Sequence, residues 1–183
     1  MKRILVVLML ALAVFAMAVQ YKPKAGETVL ELNVQGKGKV VIKLFTDKAP
    51  NTTAHIIKLA ESGFYNDQRF FKVVKDPKPF LVAFGDPDSR TKSMDDPTLG
   101  SRGSGAKIAY ENTGYSNDQE GMVGLSTLPQ ERDSGDSQFY ILLAPSKFLD
   151  GNYTVFGQVV SGMDIVKQVQ LGDKVTSVAI VRG

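Results

Sequence analysis

Between Thr28 and Val34 the chain alternates, with Leu30, Leu32 and Val34 set against Glu31 and Asn33, the two-residue period of a half-buried strand. Gly36-Lys37-Gly38 permits a tight turn into a second run, Lys39 to Phe45, so the pair reads as a β-hairpin. The period then changes. Asn51 is placed to cap a helix that carries Ile56, Ile57, Leu59 and Ala60 toward a core, and Gly63 stands where a left-handed C-terminal cap is expected. From Phe70 onward strand-like runs dominate, interrupted from Pro87 to Gly105 by an aperiodic Gly/Pro/Ser/Asp-rich stretch that reads as a long surface loop. Alternation returns at Met122–Ser126 and Phe139–Leu143. Val123, Leu125, Phe139, Ile141 and Leu143 suit the interior, while Ser126 and Tyr140 fall on the opposite face, where a groove would lie. The chain turns at Asp150-Gly151 and resumes as a strand; a second short helix fits Met163–Val169 and a last strand Lys174–Val181. Many short strands with two helices suit either a closed barrel or a sandwich, and periodicity does not choose between them.

The 183 residues suffice for one domain with a real core. Its first residues read differently: Lys2-Arg3 precedes an apolar run, Ile4 to Val19, and Ala16-Met17-Ala18 has the small-x-small pattern of a signal-peptidase site. Residues 1–18 are therefore expected to be a signal peptide, 19–26 a short lead, and 27–183 the folded domain. The competing reading is an uncleaved membrane anchor, but the run is shorter than the ~20 apolar residues a spanning helix needs. Export to the periplasm or the outside is the expectation, with no membrane attachment after cleavage. Loss of residues 1–18 removes two of the 22 basic residues and none of the 19 acidic ones, so most of the formal charge of +3 belongs to the leader. A near-neutral domain without a Lys/Arg block gives no reason to invoke nucleic acid. The absence of cysteine rules out disulfides, thiol catalysis and Cys-ligated zinc.

The segment Ser137 to Gly157, S-Q-F-Y-I-L-L-A-P-S-K-F-L-D-G-N-Y-T-V-F-G, resembles the signature half of the cyclophilins, which are peptidyl-prolyl cis/trans isomerases. A-P-N-T-T at Ala49 to Thr53, G-F-Y and F-F-K within Gly63 to Lys72, F-L-V-A-F-G-D at Phe80 to Asp86 and G-M-D-I-V at Gly162 to Val166 follow in the family's order. The resemblance covers about Glu27 to Gly183. It implies a mainly β fold, a closed eight-stranded antiparallel barrel capped by two α-helices, with the ligand groove on the outer surface. It implies an activity that accelerates rotation about X-Pro bonds in unfolded or flexible polypeptides, assisting their folding. Neither metal nor cofactor is needed, and a monomer is expected.

Carried over position by position, the proline socket falls on Phe80, Leu81, Tyr140 and Leu149, with Phe148 beside it on the turn and Tyr153 after Asp150-Gly151. Tyr140 stands where the family usually has Phe, and Tyr153 where it often has His. Ser126 and Thr127 match a strand end whose backbone pairs with the bound peptide, and Gln138 matches a groove-lining Gln. Singly, each of these reads as readily as a core or edge residue; their joint spacing favours the socket. The catalytic position is Lys72, where the family has Arg, so the cation survives without the planar fork. Ala83 replaces a Gln, removing one expected hydrogen bond to substrate. Lys72 alone also reads as a solvated strand-edge charge. The segment Lys75-Asp76-Pro77-Lys78-Pro79 is longer than usual and leaves the placement of Lys72 relative to Phe80 open. His55, the single histidine, matches no ligand or triad partner and reads as a helix-packing residue. Gly103-Ser104-Gly105 corresponds, in the resemblance, to the family's Gly-Thr-Gly loop beside the groove; as a phosphate loop it lacks the following helix and Lys. The alternative reading is a proline-peptide-binding chaperone or docking module on the same scaffold, with little catalysis. Phe80 and Tyr140, both taken as exposed socket walls, are expected to tolerate truncation to Ala without loss of the fold.

Overall fold

The alternating segments become eight antiparallel strands in a computed structural model that describes residues 21–183; the expected signal peptide lies outside the described residues. The strands are β1 (Thr28–Val34), β2 (Gly38–Leu44), β3 (Lys72–Val74), β4 (Leu81–Phe84), β5 (Met122–Leu125), β6 (Phe139–Leu142), β7 (Val155–Ser161) and β8 (Val175–Arg182). Helix α1 spans Pro50–Glu61 and α2 Met163–Gln168. In the sheet the order is β3-β4-β6-β5-β7-β2-β1-β8. Strands β6 and β7, which flank the Asp150-Gly151 turn, do not pair with each other, because β5 lies between them and bonds to both.

The closed barrel requires correction. The sheet curls into a half-barrel whose edge strands, β3 and β8, share no ladder. Its edges meet where Arg69 bridges Lys174 and where residues 67–70 exchange backbone hydrogen bonds with residues 172–175. The contact is short: Asp67 has a positive φ of 61°, which breaks the extended backbone on one side of it, and the Arg69 N–H donates to Ser89 Oγ at 3.0 Å.

The concave side of the sheet holds the main core. Phe139 sits with ring centroids 5.8 Å from Tyr65, 5.6 Å from Phe84 and 5.9 Å from Phe156, among buried Leu30, Leu32, Ile42, Val123, Leu125 and Ile141. Ile56, Leu59 and Ala60 of α1 complete it. Alternation along β6 is thus realised as read: Phe139 and Ile141 face this core, Tyr140 and Leu142 the other side.

The cap of α1 differs from the expectation. Asn51 is already inside the helix, with Pro50 at its first turn, and the N-cap Ala49 offers no side-chain acceptor. Glu111 does the capping from sixty residues away, accepting from Asn51 N–H (3.0 Å) and Nδ2 (3.1 Å) and from Thr52 N–H (2.8 Å) and Oγ1 (2.6 Å). A carboxylate there satisfies orphan amides and opposes the positive end of the helix dipole. Gly63, with φ 74°, ends α1 as expected, its N–H bonded to Ala60 and that of Phe64 to Leu59.

Candidate active site

A second hydrophobic cluster forms on the convex side of β4, β5 and β6: Phe45, Leu81, Ala83, Met122, Tyr140, Leu142, Leu149 and Val155 are buried, with Phe71, Val74, Phe80 and Tyr153 packed at its edge. One side of this cluster is open. There a cavity of about 320 Å³ is lined by Lys72, Phe80, Leu81, Ala83, Ser126, Thr127, Gln138, Tyr140, Leu149 and Tyr153, together with Phe71, Leu99 and Gly100. Every expected site residue but one thus meets at one cavity. The exception, Phe148, is 72% exposed at its rim, with its ring 5.5 Å from that of Phe80.

The long segment after Val74 leaves the register intact. Residues 75–80 form the turn of the β3–β4 hairpin, in which Lys72 pairs with Ala83, Val73 with Val82 and Val74 with Leu81. Lys75 pins this turn to the end of α2, donating at 2.6 Å to the carbonyls of both Lys167 and Val169, where a cation is favoured by the helix dipole. Lys72 is therefore held directly across from Ala83 at the cavity edge. It is exposed and makes no ion pair or side-chain hydrogen bond among the described residues.

Tyr140 forms the back of the cavity. Its ring lies over Gly124, its partner on β5, so closely that a Cβ on Gly124 would come within 2.2 Å of the ring. The ring meets Tyr153 edge-on at 5.6 Å, and the hydroxyl donates to Asn117 Oδ1 at 2.8 Å. Burial, and the neighbouring Tyr153, push the Tyr140 phenol well above its ordinary range, so it stays a neutral donor. On the β5 side, Ser126 N–H is taken by the Gln138 carbonyl at 2.8 Å. That leaves the Ser126 carbonyl and both Thr127 backbone groups without an internal partner among the described residues. Gln138 is fixed by its Nε2, which donates to the Arg102 carbonyl at 2.7 Å.

The aperiodic loop supplies the far wall, as the match of Gly103-Ser104-Gly105 to the family's groove-side loop implied, though Leu99 and Gly100 carried no such signal. Buried Asp86 gathers the loop's two ends, accepting from Asp88 N–H (2.8 Å), Gly100 N–H (2.7 Å) and Arg102 N–H (3.3 Å). Leu99 and Gly100 are thereby brought to the cavity. A smaller cavity of about 200 Å³ adjoins it, sharing Gly100, Ser126, Thr127 and Gln138, with Arg102, Lys107, Leu128 and Asp136 beyond. His55 contributes to packing there: its Nε2 lies 3.2 Å from Asp136 Oδ1, which also accepts from the Ser104 hydroxyl.

Residues 29–182 match the family described as cyclophilin type peptidyl-prolyl cis-trans isomerase/CLD. A peptidyl-prolyl cis-trans isomerase of Synechococcus elongatus is 34% identical over 148 residues, covering 79% of this chain and 91% of the relative. Peptidyl-prolyl cis-trans isomerase B of Bacillus subtilis is 33% identical over 142 residues, covering 78% and 90%. The fold is similar to that of a cyclophilin type peptidyl-prolyl cis-trans isomerase of Cryptosporidium parvum. Its crystal structure gives a TM-score of 0.72 at 18% identity, covering 86% of this chain and 99% of the other; a second, in the presence of the dipeptide Ala-Pro, gives 0.71. With nearly the whole described domain matched, the chain belongs to the cyclophilin-type peptidyl-prolyl cis-trans isomerase family.

Proposed function

We propose that this chain grips proline in the socket of Phe80, Leu81, Tyr140 and Leu149 and accelerates rotation about the preceding amide bond in unfolded or flexible client segments. The observation that carries the reading is the convergence of positions from residue 72 to residue 153 on one cavity with apolar and polar walls, and a free cation on its lip. Rotation makes and breaks no covalent bond. Its barrier of about 18–20 kcal/mol comes from amide resonance, so the catalyst has only to bind the twisted state better than either planar one. In that state the proline nitrogen localises a lone pair. The Lys72 ammonium supplies positive charge toward it, while the Ser126 carbonyl and Thr127 backbone hold the flanking peptide and Gln138, Tyr153 and the rim residue Phe148 bound the groove. The Ala-Pro dipeptide in whose presence the Cryptosporidium parvum relative was crystallised is of the chemistry such a socket takes. The same reading includes export, from Lys2-Arg3, the apolar run and Ala16-Met17-Ala18, and action as a monomer.

A binding module is the second reading because of Ala83, whose methyl, paired with Lys72, offers the substrate no hydrogen bond. Exchange NMR on a short X-Pro peptide with the purified domain separates the two. Acceleration of cis/trans exchange by the protein supports the isomerase; binding without acceleration supports the module; absence of binding overturns both. N-terminal sequencing of the exported protein, expected to begin near Val19, tests the leader, and recovery of intact Met1 in membranes would overturn it.

A further inference from the structure

Two walls of the socket come from separate parts of the chain: Tyr140 from β6, and Leu149 with Phe148 from the short 3-10 turn Lys147–Leu149. Between them sits Asn117, fully buried, in a stretch of irregular backbone that neither alternates nor matches any motif. All its polar groups are engaged. Oδ1 accepts from the Tyr140 hydroxyl at 2.8 Å; Nδ2 donates to Asp150 Oδ1 at 2.9 Å; its backbone N–H donates to the same oxygen at 2.8 Å; and its carbonyl accepts from Ser146 N–H at 2.6 Å. Ser116 completes the hold on Asp150 by donating to Oδ2 at 2.6 Å. Burial opposes ionisation of Asp150, but the Asn117 N–H, the Ser116 hydroxyl and the Asn117 amide outweigh it and hold the carboxyl below its usual range.

Resting on the socket reading above, we propose that Asn117 is a positioning residue that sets the spacing between the Tyr140 wall and the Leu149–Phe148 wall. The geometry leaves it little alternative role. Asn117 does not line the cavity, and its amide orientation is dictated, since the end facing a carboxylate must be the donor and the end facing a tyrosine hydroxyl the acceptor. Ser146 and Asp150 bracket the turn, so the bonds from Asn117 grip both of its ends. Tyr140 cannot yield toward β5, because Gly124 already lies in contact with its ring. Loss of the amide leaves a buried tyrosine hydroxyl without a partner and removes the direct side-chain link from Tyr140 to Asp150, so the turn, still held by the Asn117 backbone and Ser116, is no longer spaced from the Tyr140 wall, which changes the grip on the proline ring rather than the charge at Lys72.

The test is a double-mutant cycle on the full mature chain, reading both the Kd for a short X-Pro peptide and the exchange rate of the bound peptide. Asn117→Ala is expected to raise Kd about tenfold, and Tyr140→Phe, which keeps the ring and strands only the Asn117 acceptor, about threefold. The double variant should be no weaker than Asn117→Ala alone, because both changes cut one tether. The bound-state exchange rate should change less than Kd in every variant. Effects that multiply independently, or a Kd left unchanged in Tyr140→Phe and Asn117→Ala while the melting temperature falls, would show a purely structural asparagine and overturn the proposal. Should Asn117→Ala fail to fold, Tyr140→Phe tests the same bond from its other end. A wild type that does not bind the peptide sinks the socket reading, and this inference with it; a binding wild type with unchanged variants sinks only the role of Asn117.

Discussion

Phe139 and Tyr140 are neighbours on β6, both almost wholly shielded from solvent, and they belong to different parts of the molecule. Phe139 is enclosed by aromatic rings in the concave core, with side chains on every side. Tyr140 is packed on one side against Gly124 and Tyr153 and tethered at its tip to Asn117, while its free flank borders the cavity. Burial alone therefore does not distinguish core from site here. The distinction lies in whether the surrounding side chains leave a space, and whether a polar tether holds the exposed flank in place.

Truncation to alanine separates the two residues most strongly. Phe139→Ala is expected to cost about 3–5 kcal/mol, enough to unfold much of the protein, as read by urea or thermal denaturation. Tyr140→Ala departs from the expectation that an exposed wall could be removed with loss of binding and little loss of stability, because the structure shows Tyr140 buried and hydrogen-bonded. It should cost about 2–4 kcal/mol and abolish measurable peptide binding, since the new void opens into the existing cavity and a buried Asn117 loses its partner. A Tyr140→Ala protein as stable as wild type would mean that the outer cluster contributes little to the fold.

Phe80 sharpens the contrast, being only half-buried at the edge of that cluster. Phe80→Ala should change stability by less than about 1 kcal/mol and weaken X-Pro peptide binding about tenfold by NMR titration. Lys72 and Ala83 should affect catalysis and leave folding nearly untouched. A single flexible ammonium and a missing side-chain amide each forfeit on the order of 1–2 kcal/mol in the twisted state, so kcat/KM should lie roughly 30- to 10³-fold below a member carrying Arg and Gln. Lys72→Arg should raise the rate, Lys72→Arg with Ala83→Gln should raise it further, and Lys72→Ala should lower it. A robust rate untouched by Lys72→Ala would remove Lys72 from the mechanism.

The smallest effect concerns the N-terminal lead. Glu27 ties the N-terminal lead to β2, and the Lys43 ammonium, the Lys24 N–H and the Tyr21 hydroxyl lower its carboxyl from the ordinary 4.5 to about 2. Because the folded value is the lower one, the strap is fully present above pH 4.5 and lost as pH falls toward 2. An NMR titration should show Glu27 still ionised at pH 3, with no change in peptide binding. An ordinary titration would show that the lead is not held there.

The amino-acid pattern by itself determined which residues face which side of the sheet. A two-residue period leaves no other outcome once one face is buried, and so Phe139 and Tyr140 are separable by their alternation alone. It also located the first hairpin, the strands at Met122–Ser126 and Phe139–Leu143, the left-handed stop at Gly63 and the aperiodic loop, all of which depend on neighbours in the chain. The family resemblance, in turn, named the residues that gather at the cavity. Only the tertiary structure decided what depends on distant partners: Glu111 rather than Asn51 capping α1, the Lys72–Ala83 register across an enlarged turn, the edges left unpaired between β3 and β8, and Asn117 between the socket walls. A short polar side chain such as Asn117 has the same local preferences whether it is solvated or buried. What it does is set by the groups that folding brings within hydrogen-bonding distance, and these lie 23 and 33 residues away in the chain.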